Sequence, residues 1–365
     1  MQLLDRRLLS QIDWILIAST VILAAIGLVT IYSATYTQGF YIYNKHLSWL
    51  FIGSLFFLVA VILDYSILER YAYIIYGGSL LMLVYVLIFG SEVAGTHRWI
   101  SLGFISFQPS EFAKIALILA LARYFSTKKM PRAGMTIRNL AKPSLLLIVP
   151  FLLVAKEPDL GTALIFLLIF GSMILVIKVR RRTLILTFLA FAPVVPLLWS
   201  SLKGYQKARI LSFISPSSNT LGDGYHLMQS KIAIGSGGFF GKGFTKGTQG
   251  SLKFLPEHHT DFIFPILAEE WGFMGSFILC TLFLILILRG INAAANSKDR
   301  FGFLVALGIS LMFFWHVLIN LAMVAGLAPV VGMPLPFLSY GGSFLITSLI
   351  GIGVLVNIGM RRFIF

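Results

Sequence analysis

The chain has 365 residues, of which 58% are hydrophobic and only 12% are charged, and its formal charge at pH 7 is +15. A soluble domain carries about a quarter charged residues, so this composition excludes the soluble classes and predicts an integral membrane protein. No nucleic-acid partner is expected, because most of the basic residues fall at the ends of apolar runs, where they act as topology signals.

Apolar runs recur along the whole chain, and they are long enough to cross a hydrocarbon core of about 30 Å as helices. The runs are continuous, whereas the strands of a membrane barrel would alternate apolar and polar residues. We therefore predict an all-α polytopic membrane protein in which residues 1–365 form a single membrane domain. The ten predicted transmembrane helices cover residues 12–35, 47–63, 71–90, 110–126, 143–156, 161–178, 183–201, 261–288, 302–325 and 340–359.

The basic residues give the predicted orientation. Eighteen of the 29 Lys and Arg residues, among them Arg6 and Arg7, fall at one set of helix ends. Because short basic loops stay in the cytoplasm, both termini are expected there. The first apolar run shows no small-residue cleavage site and is predicted to be an anchor rather than a signal peptide. The chain's single cysteine, Cys280, excludes a disulfide framework.

Three polar clusters map to the opposite, outward-facing helix ends and contain Arg98, Glu111, Lys114 and Asp159. An ionisable side chain inside a membrane helix costs roughly 2.5 to 3.5 kcal/mol, so these groups are expected to line an enclosed polar cavity. The structural alternatives are a buried Glu111–Lys114 ion pair, one helix turn apart, and a capped turn at Asp159. The clusters are THRW at 96–99, FQPSEFAK at 107–114 and KEPDLGT at 156–162.

A long segment at 202–260 is expected to form one large extracytoplasmic loop between the seventh and eighth helices. Its apolar stretches argue against disorder, and the stretch at 226–234 is predicted to be an amphipathic helix on the membrane. A net charge of +5 suits a phosphate-bearing or anionic lipid ligand, although a solvated loop attracted to lipid head groups would carry the same charge. GSGGFFG lacks the βαβ context of a nucleotide-binding fingerprint. The cationic residues of this loop are Lys203, Lys207, Arg209, Lys231, Lys242, Lys246 and Lys253.

The stretch EHHTDFIF at 257–264 ends this loop and begins the eighth predicted helix. It places Asp261 at the same predicted side of the membrane as the three clusters. We therefore expect Asp261 to share one outward-facing cavity with Arg98, Glu111, Lys114 and Asp159.

Long stretches of the chain resemble the SEDS family (shape, elongation, division and sporulation). The resemblance covers nearly the full length, and QSKIAIGSGG and KGTQ are similar to the elongation branch of the family. The matching stretches are RWISLGFISFQPSEFAKIA at 98–116, EPDLGTAL at 157–164, the segment from YHLMQSKIAIGSGG to AEEWG at 225–272, and PLPFLSYGGS at 334–343.

This resemblance implies a peptidoglycan glycosyltransferase that polymerises lipid II at the outer face of the bacterial cytoplasmic membrane. It also implies a class B penicillin-binding protein as the transpeptidase partner, with membrane lipids around both. In the resemblance, Asp261 takes the place of the family's essential aspartate in the HTDF motif. Glu111, Lys114 and Asp159 match polar residues of the family's central cavity.

The implied reaction inverts the anomeric configuration of a sugar and releases a polyprenyl pyrophosphate. Such a displacement needs a base for the acceptor hydroxyl, for which Asp261 is suited. Arg98 and Arg209 are the preferred pyrophosphate ligands, because Arg offers bidentate phosphate contacts. The further substrate-binding candidates are Glu111, Lys114, Asp159 and Lys231. A divalent cation held by carboxylates, Mg²⁺ or Mn²⁺, is an alternative source of positive charge.

Two other functions are compatible with the sequence. A lipid II flippase would need a polar path to the other side of the membrane, for which Glu269, Glu270, His316 and Asn320 are candidates. His316 and Asn320, four residues apart on one helix, are otherwise expected to make interhelical hydrogen bonds. A noncatalytic scaffold for cell-wall enzymes would tolerate Asp261→Asn.

Overall fold

The computed structural model describes residues 10–36, 39–93, 96–102, 105–128, 131, 134–191, 200, 204–214, 223–248 and 259–362. Their main elements are twelve helices and three short strands. In chain order they are α1 (Trp14–Thr35), α2 (Tyr41–Ile62), α3 (Tyr65–Phe89), β1 (Ser91–Val93), β2 (Thr96–Leu102), β3 (Ile105–Phe107), α4 (Pro109–Thr127), α5 (Ile137–Lys156), α6 (Leu160–Val176), α7 (Arg181–Phe191), α8 (Gly204–Ile214), α9 (Asp223–Ser236), α10 (Ile263–Ala295), α11 (Arg300–Val324) and α12 (Gly342–Met360).

The helical membrane fold predicted from composition is confirmed. Within the described residues, seven helices are long and apolar enough to cross a membrane by length and composition, and α6 is a shorter apolar helix. The seven are α1, α2, α3, α5, α10, α11 and α12, so the chain is a multi-pass membrane protein. The count of ten spans stays a prediction, because α7 covers only the first part of the run at 183–201 and residues 192–199 lie outside the described part.

The connection between α3 and α4 contains a small antiparallel sheet that the sequence analysis did not predict. Its strand order is β1-β2-β3, with Ser91 opposite Trp99 and Ile100 opposite Phe107. The stretch at 96–99 lies on β2, and Arg98 is therefore held by a strand rather than by a helix end.

Aspartates fix the first turns of four helices, since each carboxylate accepts a hydrogen bond from a backbone N–H that the helix itself leaves unpaired. One of these caps, Asp159, lies near the functional site, and the other three lie at the opposite helix ends. The four bonds are Leu16 N to Asp13 at 3.1 Å, Ser66 N to Asp64 at 2.9 Å, Thr162 N to Asp159 at 3.1 Å and Gly302 N to Asp299 at 2.6 Å.

The protein core is centred on α4, α11 and α12, in which most side chains are buried. These helices are apolar around their whole circumference, as expected of helices enclosed by others. The helix α10 packs against α11 and α1, α2 packs against α12, and α3 packs against α4. The buried polar side chains of the three core helices include Glu111 and Lys114 on α4, His316 and Asn320 on α11, and Ser343 on α12.

Helices α8 and α9 occupy part of the segment at 202–260. The predicted helix at 226–234 is present within α9, but it packs against α10 and α11. The Ser230 hydroxyl donates to the Val324 carbonyl oxygen at 2.7 Å, which joins α9 to the last residue of α11. The extracytoplasmic location of the loop as a whole stays a prediction, since residues 215–222 and 249–258 lie outside the described part.

Candidate functional site

Asp261 lies in the turn directly before α10, and the connection between α11 and α12 holds that turn in place. The side-chain amide of Asn320 donates to the Asp261 carbonyl oxygen at 2.9 Å and to the Met333 carbonyl oxygen at 2.6 Å. Ser339 Oγ donates to the Thr260 carbonyl oxygen at 2.6 Å. The start of α10 and the 325–341 connection are therefore one hydrogen-bonded unit.

Asp261 and Arg209 meet beside Gly332, which lies in this connection. Gly332 has φ +70°, a conformation that disfavours residues with a side chain. A Cβ atom there would lie 3.4 Å from Asp261 Oδ2 and 4.0 Å from Arg209 Nη1. The carboxylate from the turn before α10 and the guanidinium from α8 therefore face the same small volume.

Gly161, in the first turn of α6, contacts the same connection from another side. A Cβ atom on Gly161 would lie 2.7 Å from the Val331 carbonyl oxygen and 3.5 Å from that of Gly332. Asp159, which caps α6, accordingly lies close to the segment that borders Asp261. Asp159 and Asp261 therefore both lie near the 325–341 connection, and their sharing of one cavity stays a prediction.

Arg98 binds the turn between α5 and α6. Its Nε donates to the Glu157 carbonyl oxygen at 2.8 Å, its Nη2 donates to the Pro158 carbonyl oxygen, and its Nη1 lies 3.9 Å from Asp159 Oδ2. Gln108 Nε2 donates to the same Asp159 oxygen at 3.1 Å. The pyrophosphate contact predicted for Arg98 would have to compete with these protein contacts, and it stays a prediction.

Lys114 and Glu111 form a fully buried ion pair on α4, as the structural alternative described. Lys114 Nζ lies 2.8 Å from Glu111 Oε2 and 2.9 Å from His316 Nε2 on α11, and it stands 5.2 Å from the centre of the Phe344 ring. His316 lies one helix turn from Asn320, which binds the Asp261 backbone. The ion pair is therefore connected to the Asp261 turn through one face of α11.

The predicted interhelical contact of His316 is present, since its Nε2 lies 2.9 Å from Lys114 Nζ on α4. Asn320 instead binds carbonyl oxygens in the turn before α10 and in the 325–341 connection. Glu269 and Glu270 belong to a different cluster. Glu269 Oε1 binds Lys242 Nζ at 2.6 Å, and Glu270 accepts a hydrogen bond from Ser33 Oγ. The four residues named for a flippase path are thus divided between two sets of protein contacts.

The Lys231 side chain lies over Gly326, directly after the end of α11. A Cβ atom on Gly326 would lie 2.1 Å from Lys231 Cε, so the side chain lies directly over that glycine. A cation at this place complements the partial negative charge of a helix C-terminus. The substrate contact predicted for Lys231 stays a prediction.

Glu157 is a buried carboxyl group whose importance the sequence analysis missed. It lies in the turn between α5 and α6, only 2% exposed, and neither carboxylate oxygen has a hydrogen-bond partner among the described residues. Burial raises the pKa of Glu157 to about 8; the charge of Asp159 also raises it, and Arg98 lowers it. The KEPDLGT cluster itself was the available signal, since Glu157 and Asp159 lie two positions apart at the end of an apolar run.

Glu157→Gln is expected to flatten the pH dependence of stability. The folded state binds the Glu157 proton more tightly than the unfolded state, whose pKa is near the ordinary 4.5. The stabilisation is therefore complete below about pH 4.5 and is lost as the pH rises to about 8. Thermal unfolding of the purified protein in detergent between pH 5 and pH 9 measures this loss. Parallel curves for the wild type and Glu157→Gln would contradict the assignment.

The described residues offer no metal centre. Among them, no group of three or more His, Cys, Asp or Glu side chains is arranged to hold a metal ion. Near Gly332, the Asp261 carboxylate is accompanied by the Arg209 guanidinium. The divalent cation stays a prediction, and the chemistry proposed for the site uses side chains alone.

Residues 13–363 match the model of the FtsW/RodA/SpoVE family, described as cell cycle proteins. The chain belongs to this family. Its members include the SEDS proteins that the motifs resemble, so the resemblance is confirmed. Within the FtsW/RodA/SpoVE family, the chain is 43% identical to the peptidoglycan glycosyltransferase MrdB of Escherichia coli K12, over 80% of this chain and 78% of MrdB.

Two solved structures have the same fold. The first is described as "Structural coordination of polymerization and crosslinking by a peptidoglycan synthase complex". It matches with a TM-score of 0.84 and 32% sequence identity, and the match covers 97% of this chain and 99% of the chain in that structure. The other is the rod shape determining protein RodA of Thermus thermophilus, with a TM-score of 0.73, 30% identity, and coverage of 96% and 98%. The fold of this family member is thus shared over almost its full length.

Proposed function

We propose that the protein polymerises lipid II into glycan strands at the outer face of the bacterial cytoplasmic membrane during cell elongation. The chain is a peptidoglycan glycosyltransferase, the activity that its relatives carry in their names. The observation that supports the site is the convergence of Asp261 and Arg209 on the volume beside Gly332. The basic residues at the opposite helix ends support cytoplasmic termini and an outward-facing Asp261.

Asp261 acts as the general base of a single displacement. Its carboxylate takes the proton of the acceptor sugar's hydroxyl group while that oxygen forms a bond to the anomeric carbon of the donor. The bond from the anomeric carbon to the pyrophosphate oxygen breaks at the same time, and the anomeric configuration inverts. The polyprenyl pyrophosphate leaves with the bonding electron pair.

Arg209 stabilises the negative charge that develops on the pyrophosphate. A guanidinium group binds phosphate oxygens through two parallel hydrogen bonds, and it remains charged at every relevant pH. The guanidinium of Arg209 thus supplies positive charge beside the Asp261 carboxylate.

The proposed partner is a single-pass class B penicillin-binding protein that crosslinks the strands. The similar structure described as a peptidoglycan synthase complex couples polymerisation to crosslinking, and it matches this chain over almost its whole length. Polymerisation by this chain would supply the uncrosslinked strands that such a transpeptidase consumes.

The test is a polymerisation assay with purified protein and labelled lipid II, with and without the cognate penicillin-binding protein. Gel separation should resolve ladders of glycan strands that the transpeptidase alone does not make. Absence of ladders with and without the partner would contradict the proposed activity, and a lipid II flipping assay in vesicles would then test the transport alternative.

Arg209→Gln is expected to lower the rate of polymerisation by about 10²-fold, the usual cost of removing one donor that binds developing negative charge. Arg209→Lys should retain part of the activity, because it keeps the charge but not the bidentate geometry. Initial rates of lipid II consumption measure both variants. Arg181→Gln, an exposed arginine at the opposite helix ends, is the matched control. Equal losses for Arg181→Gln and Arg209→Gln would contradict a local role.

A further inference from the structure

Residues 237–248, here called the strap, lie across a break in α10. The helix is interrupted at Gly272, whose φ is +66°, and its two segments are Ile263–Trp271 and the remainder to Ala295. Backbone groups at the break, which the helix cannot pair, bond instead to the strap. The four bonds are Lys242 N to Glu269 O at 3.0 Å, Gly243 N to Glu270 O at 3.0 Å, Phe273 N to Gly238 O at 2.9 Å and Met274 N to Phe239 O at 3.1 Å.

The Glu269 carboxylate fastens the end of the strap. Its side chain is fully buried, and Oε1 receives Lys242 Nζ at 2.6 Å together with Thr248 N and Thr248 Oγ1, both at 2.9 Å. A buried carboxylate with one cation and two further donors is well compensated. Breaking this arrangement would loosen the end of the strap, while the backbone hydrogen bonds at the break would remain.

The adjacent carboxylate holds the strap to a third element. Glu270 accepts hydrogen bonds from the backbone of Thr245 and Gly247 in the strap and from Ser33 Oγ on α1. The strap also approaches the helix closely, since a Cβ atom on Gly241 would lie 2.0 Å from the Glu270 carbonyl oxygen. Glu269 and Glu270, which the sequence analysis named as candidates for a flippase path, therefore both accept hydrogen bonds from the strap.

The contacts of Glu269 and Glu270 with the strap are here called the clamp. The first segment of α10 connects the clamp to Asp261. It is nine residues long, or about 13 Å, and residues 262–270 are buried throughout. Asp261 precedes one end of the segment, and Glu269 and Glu270 lie at the other. A closely packed helical segment moves as a unit, so the clamp fixes where the Asp261 carboxylate stands relative to Gly332.

We propose that Glu269 and Lys242 are positioning residues for glycosyl transfer, acting through the first segment of α10 on Asp261. The inference rests on the proposed function. Misplacement of a reacting group by about 1 Å costs about 10²-fold in rate. The clamp lies at the other end of this segment from Asp261. We therefore expect it to change the fraction of molecules in which the Asp261 carboxylate is correctly placed, and not the chemistry of the carboxylate itself.

The test measures kcat and KM for lipid II polymerisation by four variants. We expect Glu269→Gln and Lys242→Met each to lower kcat by about 10²-fold with KM unchanged. Lys242→Arg, which keeps the cation, should restore most of the rate. The double variant should lose no more than either single variant, because the two side chains form one contact.

The matched control is Glu69→Gln, which removes the same charge from the Glu69–Arg123 pair at the opposite helix ends. It should leave kcat unchanged. Thermal unfolding in detergent checks that each variant is folded, and Lys242→Met, which changes a partly exposed side chain, decides the question if Glu269→Gln does not fold.

Wild-type kcat for a folded Lys242→Met or Glu269→Gln, a change in KM alone, or additive losses in the double variant would overturn the inference. Failure of the proposed function is distinguishable, because the wild type itself would then make no glycan strands. If the wild type polymerises lipid II and Asp261→Asn does not, the clamp variants test positioning alone.

Discussion

Asp261→Asn should lower the rate of glycan polymerisation by about 10² to 10⁴-fold. Asparagine has nearly the same shape and can keep the backbone contact from Asn320, but its amide cannot take the proton of the acceptor hydroxyl. The loss should therefore appear in kcat, without a comparable change in stability. Lipid II polymerisation on gels, together with thermal unfolding of both proteins, measures the two effects separately.

Asp64→Asn is the matched control for this substitution. Asp64 caps α3 at the opposite helix ends, where it accepts a hydrogen bond from Ser66 N and pairs with Arg361. Its loss should leave the rate nearly unchanged. Equal ladders from the wild type and Asp261→Asn would contradict the general-base assignment and favour a scaffold that positions other cell-wall enzymes.

Lys114→Met should cause the largest loss of stability, about 3 to 5 kcal/mol in the free energy of unfolding. The substitution leaves the Glu111 carboxylate buried on α4 without its cation, and it removes the partner of His316 Nε2. The double variant Lys114→Met, Glu111→Leu should recover much of the loss, since no unpaired charge then remains. Thermal unfolding in one detergent at one pH measures the series.

The partly exposed pair of Arg123 and Glu69 provides the comparison. Both side chains are roughly one-third exposed, and a pair in that environment contributes about 0 to 1 kcal/mol. Arg123→Met should therefore lower the unfolding temperature far less than Lys114→Met. Similar decreases in the unfolding temperature for Arg123→Met and Lys114→Met would contradict the prediction that burial makes loss of the Lys114 charge more destabilising.

Much of the helical framework was predictable because membrane helices depend on local properties. Continuous apolar runs locate α1, α11 and α12 to within a few residues, since each run must pair its own backbone groups in the hydrocarbon. The pairing of Glu111 with Lys114 was also predictable, because residues three apart on a helix lie on one face. Asp159 at the start of a run was likewise a recognisable cap.

The small sheet and the strap were not predictable from such local signals. β1–β3 are short strands of three to seven residues, and their pairing depends on partners rather than on a long alternating pattern. The break at Gly272 lies inside the predicted helix at 261–288, which the sequence analysis gave as a single span. Only the packed strap shows why Glu269 and Glu270 can be buried there.

The sequence by itself determined that this is a polytopic helical membrane protein with Asp261 at a helix start, because hydropathy and helix caps act over one or two turns. The tertiary structure decided that Arg209 joins Asp261 beside Gly332, while Arg98 binds the turn before α6. These two arginines carry the same chemistry in the sequence. Their different positions depend on the long-range packing of α8, the small sheet and the α11–α12 connection, which brings Arg209 next to Gly332, more than 100 positions away in the sequence.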